Sequence, residues 1–278
     1  MKLQYLLAAG LASLAIDAGA VTTAHLRTSS WAVALEDLDS ADGVGPSLSW
    51  LGNQDLVSQA MEGRQTGWTP FFGLMVPTYG DYAQVQQVTA APGTLSTVTS
   101  AQGLVTSTAT NDVFEIDLKA HAGETVSGSV QRMESFTVSA HTQVTLSTVI
   151  STAITAGDVP WTSSPDLSFY YQSAGASISS MVYVFTSDGT FSQQSSYAAS
   201  LLLPAGVDHA EAIDPNGLMS ITFANDTDAD RTFTLQHQAY AGGNQSGALP
   251  AVPEPSSWGL LVAGLLALGV ARRRMPRL

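Results

Sequence analysis

No cysteine occurs among the 278 residues. Disulfides, thiolate zinc sites, c-type haem attachment, cysteine nucleophiles and lipoprotein acylation are therefore excluded. Charge is also sparse: 12% of residues are charged, against 45% hydrophobic. A helical bundle needs Glu, Lys and Arg on its wet faces, so a composition rich in Ser, Thr, Ala and Gly argues against one. Positive charge is scarcest of all. Between residues 21 and 250 the basic side chains are Arg27, Arg64, Lys119, Arg132 and Arg231, while 21 of the 23 acids lie there, a net charge of −16. Such a body repels phosphate backbones and disfavours nucleic acid. It tolerates cations and neutral or basic polymers, and the charge favours solubility.

Catalytic signatures are missing as well. No H-E-x-x-H, G-x-S-x-G or phosphate-cradling glycine loop appears. Asp208-His209-Ala210-Glu211 contains an H-x-E, but zinc deaminases need cysteines that this chain lacks. A Ser-His-Asp triad is defined by geometry, and nothing in the sequence selects its members from His25, His121, His141, His209 and His237. Each histidine is read as a surface or structural residue, and the chain as non-enzymatic. Two acidic runs stand out. Asp37, Asp39 and Asp42 are close enough to share a calcium ion, the one cofactor the sequence suggests, although the spacing is not that of an EF-hand. Asp226, Asp228 and Asp230 form a second run, with Arg231 where a glycine is needed and His237 in place of the last acid. The plainer reading of both is a solvated hairpin loop. Trp50, Trp68, Phe71, Phe72, Tyr79 and Tyr82 make the first third aromatic-rich. Such rings stack on sugars or fill a core, and core or loop packing is the expectation.

The body reads as strands. Trp31, Val33 and Leu35 alternate, as do Phe136 and Val138, Val144 and Leu146, and Phe233 and Leu235; Val113 to Leu118, Ile178 to Phe185 and Leu218 to Phe223 are further runs. Turn clusters separate them: Asp42-Gly43, Ala91-Pro92-Gly93, Gly157-Asp158, Ser187-Asp188-Gly189, Asp214-Pro215-Asn216-Gly217 and Asn225-Asp226. Residues 54 to 62 fit one short helix, and Thr106 to Asn111 looks like a weak point. Many short strands with frequent turns predict an all-β, antiparallel β-sandwich over residues 21–241, jelly-roll-like or immunoglobulin-like. Residues 242–252, opening Gly-Gly-Asn-Gln-Ser-Gly, read as a linker.

The two ends say where the chain goes. Lys2, the apolar run Leu6 to Ile16 and the small residues Ala18 and Ala20 follow the order of a secretory signal, which makes residues 1–20 the signal helix and Val21 the mature start. At the other end, Val252, Pro253, Glu254 and Pro255 form a short motif that cannot be helical. An apolar run follows: Trp258, Gly259, Leu260, Leu261, Val262, Ala263, Gly264, Leu265, Leu266, Ala267, Leu268, Gly269, Val270 and Ala271. As a helix it is roughly 21 Å long, short of a ~30 Å hydrocarbon core and thus a marginal permanent anchor. Arg272, Arg273 and Arg274 then supply a stop that holds the end in the cytoplasm.

Motif, short apolar helix and arginine cluster in that order, over residues 253–278, resemble the PEP-CTERM family tail, also catalogued as the ice-binding protein C-terminal domain. Looser matches to such proteins are Ala34 to Leu48 and Phe223-Ala224-Asn225-Asp226. The resemblance implies export in a Gram-negative bacterium through signal peptidase and the secretion machinery, a transient tether to the inner membrane, and handling by an exosortase. It also implies delivery to the cell surface or extracellular matrix, with exopolysaccharide or biofilm as the setting. Three roles for the body compete. They are a non-enzymatic surface or matrix protein, a glycan-binding or calcium-dependent adhesive module, and a secreted hydrolase for which no motif speaks.

Overall fold

A computed structural model describes residues 21–89, 95–110, 113–159, 169–170, 172–204, 207 and 209–247. The signal segment with Ala18 and Ala20, the motif Val252 to Pro255, the apolar run from Trp258 and the arginines 272–274 lie outside the described residues.

Fourteen strands make up the described chain: β1 (Val21–Thr28), β2 (Ala32–Asp37), β3 (Leu48–Phe71), β4 (Leu74–Thr89), β5 (Ser96–Thr99), β6 (Val105–Ala109) and β7 (Phe114–His121), then β8 (Glu124–Val138), β9 (Thr142–Ala156), β10 (Phe169–Tyr170), β11 (Ser173–Phe185), β12 (Ser192–Pro204), β13 (Ala210–Asn225) and β14 (Arg231–Gln245). They form two seven-stranded sheets. The first runs β13-β9-β1-β7-β6-β5, with β2 continuing beside β9 beyond the end of β1. The second runs β10-β4-β3-β8-β14-β11-β12. Every pairing is antiparallel except the short parallel contact of β10 with β4.

Period-two patterning drives this arrangement. Along β8 every second residue from Val126 to Val138 is buried, and β9 and β14 alternate in the same way. Alternation of this kind gives one dry face and one wet face, so two such sheets must pack dry face to dry face. Leu26, Ile116, Leu146, Ile150 and Ile154 enter the core from the first sheet; Leu56, Phe136, Ile178, Phe233 and Leu235 enter from the second. Each fully buried side chain of this size contributes roughly 1.5–3 kcal/mol. Phe136, Phe223 and Phe233 cluster with ring centroids 5.0–5.9 Å apart. At Gly128 the sheets approach so closely that a Cβ would collide with Ser107 and Val105, and only glycine fits.

Four local expectations change. Residues 54–62 are strand, not helix: Leu56, Ser58 and Ala60 are all fully buried at period two, and pairing with β4 and β8 overrides a pattern that also fits a helical stripe. Thr106 to Asn111 is not a weak point as far as Ala109, because β6 buries Val105, Ser107 and Ala109. Asp214 to Gly217 is a bulge within β13 rather than a turn. β13 is an edge strand, where Pro215 removes no needed ladder donor. Of the stretch read as a linker from residue 242, Gly242 to Gln245 belong to β14. Gly242 to Gln245 pair with both β8 and β11, because glycines are accepted in a strand flanked on both sides.

Candidate functional site

Side chains with chemistry gather at several places among the described residues, and the first is sealed. β8 points Arg132 and Glu134 inward, two residues apart on one face, and they form an ion pair in the core. The Arg132 guanidinium also lies over the Trp50 ring, 5.5 Å from its centroid. Beside Arg132, β14 points His237 inward. Its Nε2 is 2.9 Å from Ser180 Oγ on β11, its ring stacks on Phe114 at 4.4 Å, and Trp31 meets it edge-on at 5.1 Å. Burial, and then the neighbouring Arg132 charge, push its pKa down to about 3, so the imidazole is neutral. Ser180 and His237 are 1% and 2% exposed, so this serine–histidine contact meets no solvent.

The second place is where the two acidic runs converge. The loop after β2 and the loop between β13 and β14 both reach the turn between β8 and β9. The Leu38 N–H donates to the His141 carbonyl, and the His141 N–H to the Thr227 carbonyl. His141 Nε2 lies 3.0 Å from Asp228 Oδ1. Ligand atoms of Asp39, Asp42 and His141 come within 4.8 Å of one another. Asp37 is not in that group. Its Oδ1 accepts the Asp39 N–H, while Asp39 and Asp42 accept the N–H groups of Ala41 and Val44. These carboxylates therefore cap their own loop, as Asp does in Asx turns. Calcium favours all-oxygen shells, and an imidazole in the set suits it poorly. Of the second run, Arg231 reaches back to Asp188 at 3.8 Å and His237 is the core residue described above. A further cluster of His25, Glu115 and Asp117 lies on the outer face of β1 and β7. The hydrogen bond that His25 Nδ1 donates to Asp117 Oδ1, against some desolvation, raises the His25 pKa.

The third place is a groove of about 470 Å³ on the second sheet, shared by β3, β8, β14, β11 and β12. Gly175, Gly242 and Gly243 form part of its lining. Tyr240 lies along its own strand over Gly242, where a Cβ would collide with its hydroxyl. Ser127, Ser177 and Ser200 supply hydroxyls, Met61 and Leu202 apolar surface, and none of the lining residues is charged. Strand periodicity alone does not mark this groove. The Tyr240-Ala-Gly-Gly sequence was its one local signal, and it reads equally as the start of a linker.

The aromatic group of the first third does not stay together. Trp50 packs on Phe136 at the edge of the core, 5.0 Å between centroids, as expected. Phe71, Phe72 and Tyr82 are exposed instead. Phe71 and Phe72 stand at the tip of a hairpin, and the signal was the Phe-Phe-Gly at its turn.

Residues 251–274 match the PEP-CTERM protein-sorting motif. The chain carries a PEP-CTERM sorting tail. A PEP-CTERM tail marks an exported protein directed to an exosortase and to the cell surface. No curated protein matches the chain. Among solved structures, the secretin InvG of the Salmonella SPI-1 type III secretion injectisome is 11% identical, over 98% of this chain and 76% of that one, with a TM-score of 0.16. A structure of carbohydrate-binding modules from the β-sandwich superfamily is 7% identical, over 74% and 99%, at 0.09. A DUF4465 family protein from Bacteroides ovatus is 8% identical, over 55% and 89%, also at 0.09.

Proposed function

We propose that this is a non-enzymatic surface protein that an exosortase releases from a transient inner-membrane tether into the cell surface or exopolysaccharide matrix. The PEP-CTERM match at residues 251–274 carries the reading. The apolar run is too short for a comfortable permanent span, which suits a segment that parks the chain while Val252 to Pro255 is read outside. The body supports the non-enzymatic part. Its serine–histidine contact is buried, and its loop carboxylates are occupied in capping. Replacing Pro253 and Pro255 by Ala together is expected to leave the full chain in the membrane fraction of the native host. Arrival of that variant at the surface in wild-type amount contradicts the proposal.

The groove favours a second, compatible reading, that the body holds a neutral glycan of the matrix. Hydroxyls, one laid-over tyrosine and no charge suit uncharged sugar rings, whereas a −16 body opposes acidic polymers. The observation that favours it is Tyr240, 40% exposed in the middle of a sheet face. Tyr240→Ala is expected to lose about 1 kcal/mol of stacking, several-fold in affinity for neutral matrix polysaccharide in affinity gel electrophoresis. Wild-type protein that neutral polysaccharide does not retard sinks this reading and leaves the sorting proposal untouched.

A further inference from the structure

The hairpin of β3 and β4 is longer than the sheet that supports it. β3 pairs with β8 only as far as Arg64, opposite Glu124. Beyond that point Gln65 to Phe71 pair with Leu74 to Tyr79; Gln65 donates its N–H to the Gly123 carbonyl, and past it the one further strand partner among the described residues is β10, at Leu74 and Met75. Register shifts between Glu62 and Arg64 and between Gln65 and Gly67 fall where the ribbon leaves the sheet, and bulges of this kind bend and twist a strand. From Gln65 to Phe72 the arm reaches on the order of 20 Å at about 3.3 Å per residue. No residue from 65 to 80 is charged, in a body of net charge −16.

Its tip is costly to the fold. Phe72 and Gly73 form a two-residue turn with φ of +47° and +82°. Asn, Asp or Gly ordinarily occupies the first position of such a turn. A bulky side chain there costs roughly 1–2 kcal/mol. Phe72 recovers little of this by burial, since it is 93% exposed, and Phe71 is 58% exposed, the two rings meeting edge to face at 4.7 Å. Packing among the described residues does not account for two phenylalanines here.

Gly247, the last described residue, lies at the base of this arm. The Gly247 N–H, two residues past β14, donates to Gln65 Oε1 at 2.9 Å. Ten residues, 248–257, separate Gly247 from the apolar run that opens at Trp258. They span at most about 35 Å. A bilayer holding that run lies within about 35 Å of the arm's base, a distance that an arm of some 20 Å can largely bridge. The acidic turns with Asp39, Asp42, Asp188 and Asp228 sit at the opposite ends of these strands. With a Debye length of about 8 Å at physiological salt, an uncharged arm of this length keeps most of the body's charge beyond reach of anionic headgroups.

We propose that Phe71 and Phe72 insert at the headgroup–acyl boundary of the same bilayer that holds the apolar tail, so that before release the body is seated on the membrane at two points. Trp68, three residues before Phe71, is of the type that favours headgroup level. The inference rests on reading residues 258–271 as the membrane segment. Because the chain has no cysteine, Phe72→Cys gives a single labelling site at a position that the core does not use. The full-length F72C chain, carrying an environment-sensitive fluorophore, is reconstituted in phosphatidylethanolamine/phosphatidylglycerol vesicles. A second chain carries the label at Ser187→Cys, in the exposed turn at the opposite end. Both chains are expected to float with the vesicles. A nitroxide at a shallow acyl position is expected to abolish most of the emission at position 72 and almost none at 187. Failure of both to float overturns the tail reading. Flotation with equal, weak quenching at the two positions overturns the seated arm alone. A blue-shifted label at 72 that lipid nitroxide does not quench overturns it too, by assigning the tip to a protein pocket.

Discussion

Glu134→Ala is expected to cost the body about 3–5 kcal/mol, a large share of the roughly 5–15 kcal/mol that stabilises an ordinary domain. Glu134 and Arg132 are each 7% exposed and share one inward face of β8. Removing the carboxylate leaves the guanidinium in an apolar core with the Trp50 face and a neutral His237 as neighbours. A buried charge that loses its counter-ion costs more than the intact pair contributes. Replacing both residues, Arg132→Met with Glu134→Leu, is expected to restore most of the loss, because the charge and its partner leave together. Urea denaturation followed by tryptophan fluorescence measures both. A single variant as stable as wild type contradicts the core ion pair.

Acid is expected to weaken the body through His237. Its imidazole ionises near 6.5 in the unfolded chain and at about 3 in the core. Between those values the unfolded state binds a proton that the folded state refuses, so stability rises with pH across the window. The contribution is complete above pH 6.5 and is lost as pH falls toward 3. At 1.36 kcal/mol per unit, the step from pH 7 to pH 4 removes about 3 kcal/mol. His237→Gln keeps a polar partner for Ser180 and does not titrate, so its stability is expected to fall by that much less over the same step. Equal pH slopes for the two proteins contradict a neutral, desolvated His237. His25 works in the opposite direction: its raised pKa adds stability at low pH that is lost as pH rises through the folded value. Its exposure keeps that effect small.

Much of the fold was legible because period two is a strong signal where one face is dry. The runs at Phe136, Val144 and Phe233 became β8, β9 and β14, and their apolar members are core. β2 shows the limit. Val33 and Leu35 alternate as predicted yet stay exposed, since alternation names a face without saying whether another sheet covers it. Arg132, Glu134 and His237 were hidden for a related reason. A charged residue at an inward position breaks the pattern that identifies inward positions, and only the partner across the core restores sense to it. The two acidic runs were visible one at a time, but their meeting at His141 depends on three turns brought together by strand pairing. The groove and the hairpin arm depend on how far strands extend beyond their partners, which local composition does not encode. The tail is the reverse case: three short features in fixed order are enough without any tertiary context.

Removal of the PEP-CTERM tail as the protein leaves the membrane can be read from the mass of the C-terminal peptide of protein recovered outside the cell. The expected end lies near Val252 to Pro255, with Trp258 to Leu278 absent. Recovery only in membranes, with the apolar run and Arg272 to Arg274 still attached, contradicts it and makes the tail a simple anchor.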